Sequence, residues 1–225
     1  MLCEFCAENA TDLDAALAAG AARIELCDNL AVGGTTPSLG VIEQAVGIVR
    51  EYGGAEVRVI IRPRGGDFVY NAGELKAMET DIRMAAANGA DGVVLGCLKK
   101  RKSGGYMLDA EATGRLVAVA RSVGEMRGRP LGVTFHMAFD AIDASNQLAA
   151  IDALVELGVD RILTHGGVAG TPIEDNIERL RAYIDHAAAR LVILPGGGIT
   201  HENAADVARE LGVDELHGTR IVPLG

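Results

Sequence analysis

Residues 61–70 read Ile-Arg-Pro-Arg-Gly-Gly-Asp-Phe-Val-Tyr. The apolar run Val57-Arg58-Val59-Ile60-Ile61 leads into them and has the character of a buried strand. Arg62 and Arg64 stand two positions apart, a spacing that puts both side chains on one face of a strand. Two guanidiniums at the end of a buried strand are costly unless anions meet them. Gly65 and Gly66 then turn the chain and deliver Asp67. The chemistry expected here is capture of an anion.

Other short apolar stretches carry ionisable groups at alternating positions. Glu4 alternates with Cys6, Glu25 with Cys27, and Thr134 with His136, while Glu215, His217 and Thr219 share one face. Glu4, Glu25 and His136 are acid–base candidates if the anion is a substrate. Leu194-Pro195-Gly196-Gly197-Gly198 and His217-Gly218-Thr219 have the small residues that let backbone N–H groups approach a phosphate. A tight turn alone also explains Gly196, Gly197 and Gly198. Cys3 and Cys6 are three apart, so on a strand their sulfurs diverge. Cys6 and Cys27 share an inward face on neighbouring strands, about 4.8 Å apart. Two thiolates that close suit a soft ion such as Cu(I). Two small buried hydrophobes is the plainer reading of the same pair.

These groups need a frame that brings them together. Helix ends followed by Gly and a short apolar strand recur at 15–27, 85–97, 154–166 and 208–218. Eight strands are expected near 2–7, 23–28, 57–63, 92–97, 131–136, 161–165, 191–195 and 215–219. Seven helices are expected near 12–19, 38–52, 73–88, 109–123, 145–157, 173–189 and 201–211. Thr171-Pro172-Ile173-Glu174 reads as an N-cap, a first-turn Pro and a capping-box Glu, and Thr36-Pro37 as the same start without the Glu. Uninterrupted βα alternation over 1–225 predicts one α/β domain, a closed TIM-type (β/α)8 barrel. An open doubly wound sheet is disfavoured, since no G-x-G-x-x-G follows the first strand. After the eighth strand and Arg220 only Ile221-Val222-Pro223-Leu224-Gly225 remains, so the eighth helix is missing or replaced, and a second subunit covering the seam is an open alternative. In such a barrel the polar set falls at the C-terminal strand ends, where active sites are built. A buried network in which Glu4 and Glu25 neutralise Arg62 and Arg64 is the competing account.

The net charge of −10 argues against a nucleic-acid partner. The cluster Lys99-Lys100-Arg101-Lys102 beside Ser103-Gly104-Gly105 reads as an exposed loop. The first residues lack the pattern of a signal peptide, and no run reaches membrane-spanning length. A cytoplasmic protein with reduced cysteines is expected.

Four motifs resemble those of the CutC copper homeostasis family. They are Glu25-Leu26-Cys27, Gly33-Gly34-Thr35-Thr36-Pro37-Ser38-Leu39-Gly40, Arg62-Pro63-Arg64-Gly65-Gly66-Asp67-Phe68-Val69-Tyr70 and Thr134-Phe135-His136-Met137-Ala138-Phe139-Asp140. The resemblance runs from the first strand to the eighth. It implies a barrel, a cytoplasmic home and Cu(I) binding at Cys6 and Cys27. The family's usual Arg after the motif His is Met137 here, which removes one cation, and the family normally continues into a further helical tail. Copper does not explain Arg62, Arg64, His136 or Asp140. Those residues suit a small anionic metabolite, with His136 or an acid moving protons.

Overall fold

The computed structural model describes residues 1–224. Its strands are β1 (Leu2–Glu8), β2 (Arg23–Cys27), β3 (Glu56–Ile60), β4 (Gly92–Leu95), β5 (Leu98–Lys100), β6 (Tyr106–Leu108), β7 (Gly132–Phe135), β8 (Arg161–Thr164), β9 (Val192–Pro195) and β10 (Glu215–Gly218). The helices are α1 (Leu13–Ala18), α2 (Leu39–Tyr52), α3 (Ala72–Ala87), α4 (Ala110–Met126), α5 (Ala144–Glu156), α6 (Ile177–Ala187) and α7 (Ala204–Leu211). Eight parallel strands form one sheet in the order β10-β1-β2-β3-β4-β7-β8-β9, the expected TIM-type barrel. Its seam, between β9 and β10, has no ladder. An isolated bridge of Thr200 with Arg220 closes it, and the His201 N–H donates to the Arg220 carbonyl at 2.8 Å. Among the described residues no helix follows β10.

Strand alternation sorts the side chains. Ile24, Leu26, Val57, Val59, Val93, Leu95, Val133, Phe135, Ile162 and Leu216 face the helices and belong to the apolar core. The opposite face of the same strands supplies the charged interior of the barrel.

Four local expectations are corrected. The third strand stops at Ile60 rather than 63. Pro63 has no N–H to give a ladder, and Arg62 turns its N–H to the Thr36 hydroxyl (2.9 Å) and its carbonyl to the Thr36 N–H (2.9 Å). Arg62 and Arg64 therefore sit on a loop, where alternation no longer fixes their direction. Thr36, engaged there, does not cap α2; Ser38 does, accepting from the Val41 N–H. The basic cluster is not all loop, because Lys99 and Lys100 lie on an antiparallel hairpin of β5 with β6. The capping box at Thr171 does not form. Its hydroxyl donates to the Val168 carbonyl at 2.9 Å, and a short 3-10 turn, Ile173–Asn176, precedes α6.

Candidate functional site

The barrel interior is layered. In its lower layer Glu4 holds the fully buried Arg23, Arg23 also reaches Glu215 (2.7 Å), and Glu215 takes Arg161 (2.8 Å). Arg58 lies beside these, paired with Glu56 at 2.9 Å. The sequence reading missed Arg23, Arg58 and Arg161. The signal was present, since Arg23 shares a strand face with Glu25 and Cys27. An open hollow of about 690 Å³ lies below this layer, at the N-terminal strand ends. Its arginines 58, 121, 129, 161 and 190 are each matched by a carboxylate: Glu56, Asp160, Asp91, Glu215 and Asp152.

At the C-terminal strand ends lies a smaller cavity of about 160 Å³. Cys6, Glu25, Cys27 and His217 make one wall, Arg62 and His136 another, and Leu30, Ile60, Phe68, Met137 and Leu163 most of the rest. The sulfurs of Cys6 and Cys27 are 4.0 Å apart. Both thiols reach one carboxyl oxygen of Glu25, at 3.3 and 3.6 Å. His217 Nδ1 is 2.8 Å from Glu4, and its Nε2 is 3.7 Å from Glu25. Cys6, Glu25 and Cys27 thus bring three potential donor atoms within 4.8 Å of one another.

The electrostatics of this wall follow from burial and contact. Donation from Cys27 holds the Cys6 thiol well below its ordinary pKa, with His217 assisting and burial opposing. Its partner moves the other way: the bond to Cys6, then burial and the Glu25 charge, push Cys27 well up. Glu25 is raised by burial above all. Burial also works against the charge on Glu4, yet hydrogen bonding by His217 and the charge of Arg23 bring that carboxyl to about 2. His217 is raised, because the acidic groups around it, Glu25, Cys6 and Glu4, outweigh burial. The result is a thiolate-favouring position next to an imidazolium, with a second thiol in reach.

The facing wall has a different character. Arg62 is 4% exposed and has no carboxylate partner among the described residues. Backbone carbonyls fix its guanidinium: Val32 (2.8 Å), Gly34 (2.7 Å) and Gly66 (2.9 Å). The ring of Phe68 lies 4.8 Å from its central carbon. Its Nε has no hydrogen-bond partner. His136 follows β7 and packs against Phe68. Its Nδ1 accepts from the Ala138 N–H at 3.2 Å, which places the ring proton on Nε2, and Nε2 has no partner. Burial, then the Arg62 charge, lower this imidazole to about 3, so it is neutral. Gly96, at the end of β4, leaves room for the ring, which a Cβ would meet at 2.6 Å.

Other expected residues lie elsewhere. Arg64 turns away to Glu74 (2.6 Å) and Asp67 (3.2 Å), and to the Asp67 and Val69 carbonyls. These contacts tie the loop to α3, whose capping box of Asn71 with Glu74 is complete. Neither arginine pairs with Glu4 or Glu25. The Asp140 carboxylate accepts from the N–H groups of His165 (2.9 Å) and Gly166 (3.2 Å) and from Thr164, outside the cavity. Gly196 packs close to Leu163 and His217, and Gly197 close to His165. The Gly196 and Gly197 carbonyls bond to His165, and Gly218 lies against the Ile199 carbonyl.

The whole chain has relatives among known proteins. A CutC family model matches residues 1–222. A CutC family protein of Enterococcus faecalis is 54% identical over 222 residues, covering 99% of this chain and all of that protein. The human copper homeostasis protein cutC homolog is 40% identical over 220 residues, which are 96% of this chain and 72% of that protein. The crystal structure of CutC from Streptococcus agalactiae superposes with a TM-score of 0.89 at 47% identity, covering 99% of this chain and all of that one. The deoxyribose phosphate aldolase of Aeropyrum pernix, at 15% identity and a TM-score of 0.66, shares the fold alone and covers 99% of this chain and 86% of that one. The chain belongs to the CutC family.

Proposed function

We propose that this protein serves copper homeostasis by holding Cu(I) as cargo between Cys6 and Cys27 at the barrel mouth. The observation that carries the reading is the 4.0 Å separation of the two sulfurs, with Glu25 shared between them. The donor set fits a soft ion. Structural zinc asks for four ligands, and among the described residues only Glu25 joins the two cysteines in one close group of donor atoms. Calcium and magnesium ask for several oxygens. Thiolates select Cu(I) by softness rather than by number. A reducing compartment, the cytoplasm, would keep both thiols available.

Anaerobic competition of the reduced protein against a chromophoric Cu(I) chelator tests this. One copper per chain is expected, with at least about 100-fold weaker retention in the Cys6→Ala/Cys27→Ala double variant. Equal affinity in the two proteins overturns the reading.

One observation favours a second reading. Arg62 lines the cavity without a carboxylate, as expected if it anchors the acid group of a carboxylated or phosphorylated metabolite. A neutral His136 then donates a hydrogen bond rather than acting as a base at neutral pH, and Glu25, raised by burial, is the better proton donor. Crystals grown in phosphate test this reading. An anion on Arg62 supports it, and one bound instead to the Gly196–Gly198 turn moves the anion site there.

A further inference from the structure

We propose that the cavity takes Cu(I) together with a small thiol-bearing carboxylate, its sulfur joining Cys6 and Cys27 on the ion and its acid group held by Arg62 and His136. The inference rests on the copper reading and goes beyond it by naming a second ligand.

The two walls of the cavity ask for different partners. Cys6 and Cys27 offer soft donors to a metal. Arg62 and His136 offer N–H donors that nothing in the protein accepts, Arg62 Nε and His136 Nε2. A buried donor without a partner is costly, and a buried cation without an anion more so. Copper does not meet that need. Its charge has the same sign as that of Arg62. The missing partner is therefore an anion, and one small enough for about 160 Å³. That is roughly half the lower bound of about 300 Å³ for pockets that hold drug-sized ligands. The apolar lining of Leu30, Ile60, Phe68 and Leu163 suits a short carbon chain between the two polar ends.

Equilibrium dialysis tests this, with mercaptoacetate as probe. Reduced protein, with and without Cu(I), is dialysed against mercaptoacetate, 2-mercaptoethanol or acetate, and both copper and probe are counted per chain. The expected result is about one mercaptoacetate per bound copper, held at least about tenfold more tightly than 2-mercaptoethanol, and little retention without copper. Arg62→Gln should reduce mercaptoacetate retained per copper by about tenfold or more. Because Arg62 also ties down three loop carbonyls, His136→Asn is the second variant. Its side-chain oxygen can still accept from the Ala138 N–H, while the Nε2 donor is lost, and the same ratio should fall. Acetate retained equally with and without copper, 2-mercaptoethanol retained as well as mercaptoacetate, or no probe retained on copper-loaded protein each overturn the proposal. Absence of copper from the protein dialysed against acetate, which has no thiol to compete for the ion, overturns the copper reading instead, so the two failures are distinguishable.

Discussion

Two buried histidines in this site respond to pH with opposite sign. His136 is held at about 3, against 6.5 for the free side chain, so the folded protein favours its neutral form. Below pH 6.5 the unfolded chain takes up a proton that the folded chain refuses, and stability falls as pH drops toward 3. His217 is raised, so its contribution is complete below about 6.5 and is lost as pH rises through its folded value. Glu4, held at about 2 against 4.5, adds acid sensitivity only below about pH 4.5. Between 6.5 and 4.5 the raised Glu25 carboxyl, protonated first in the folded chain, acts with the opposite sign, so the His136 share is read from the difference that His136→Asn makes. Urea unfolding across pH should show the acid-side slope reduced in His136→Asn, and the alkaline-side loss reduced in His217→Gln. An unchanged slope between pH 6.5 and 4.5 in His136→Asn would show that its imidazole is not held neutral by the fold.

At the scale of elements, β4 and β7 place two glycines side by side. Gly92 and Gly132 are in register, and Arg58 of β3 is in register with Gly92. The guanidinium of Arg58 fills the space that a Cβ on either glycine would occupy. A Cβ at Gly92 would also lie 2.8 Å from the Gly132 carbonyl, which is backbone and cannot swing aside. Both Gly92→Ala and Gly132→Ala should destabilise, by about 1–3 kcal/mol for overpacking. The Arg58→Ala background separates them: Gly132→Ala should then become nearly neutral, whereas Gly92→Ala should keep most of its cost. Urea midpoints of the four variants check this, and equal rescue of the two glycine variants would contradict the register argument. The same element scale explains the Arg-Pro-Arg loop. Pro63 ends the β3 ladder, Thr36 takes the freed backbone groups, and Arg64 then spans to the capped start of α3.

At the scale of the molecule, the barrel is continuous from β10 through β9 but is closed by a single bridge. A backbone that lacks ladder bonds on one side opens locally more readily than one bonded on both. Hydrogen exchange should therefore release peptides covering 192–201 and 215–222 before those covering 23–27 and 57–60. Equal protection around the barrel would mean that something else closes the seam, a second copy of the chain included. The cavity borders this seam, since His217 is on β10.

Much of this was legible in the residues alone. Helix-Gly-strand recurrence specified the barrel, because amphipathic periodicity and Gly caps are local properties. Alternation along single strands brought Cys6, Glu25, Cys27 and His217 to one mouth, because it needs only the period of two that a strand enforces; Glu4, on the same face, lies a layer deeper on Arg23. The tertiary structure decided the rest. Where β3 ends depends on Thr36, 26 residues away, competing for the backbone of Arg62. That Arg62 meets carbonyls while Arg64 turns to Glu74 depends on which loops fold over them, as does the placement of Asp140 beneath the β8 loop. Arg58 beside Gly92 and Gly132 depends on the stagger of strands around a closed barrel. Strand faces follow from local sequence. The partner of a buried charge does not, because it is set by segments distant in sequence that meet only when the barrel closes.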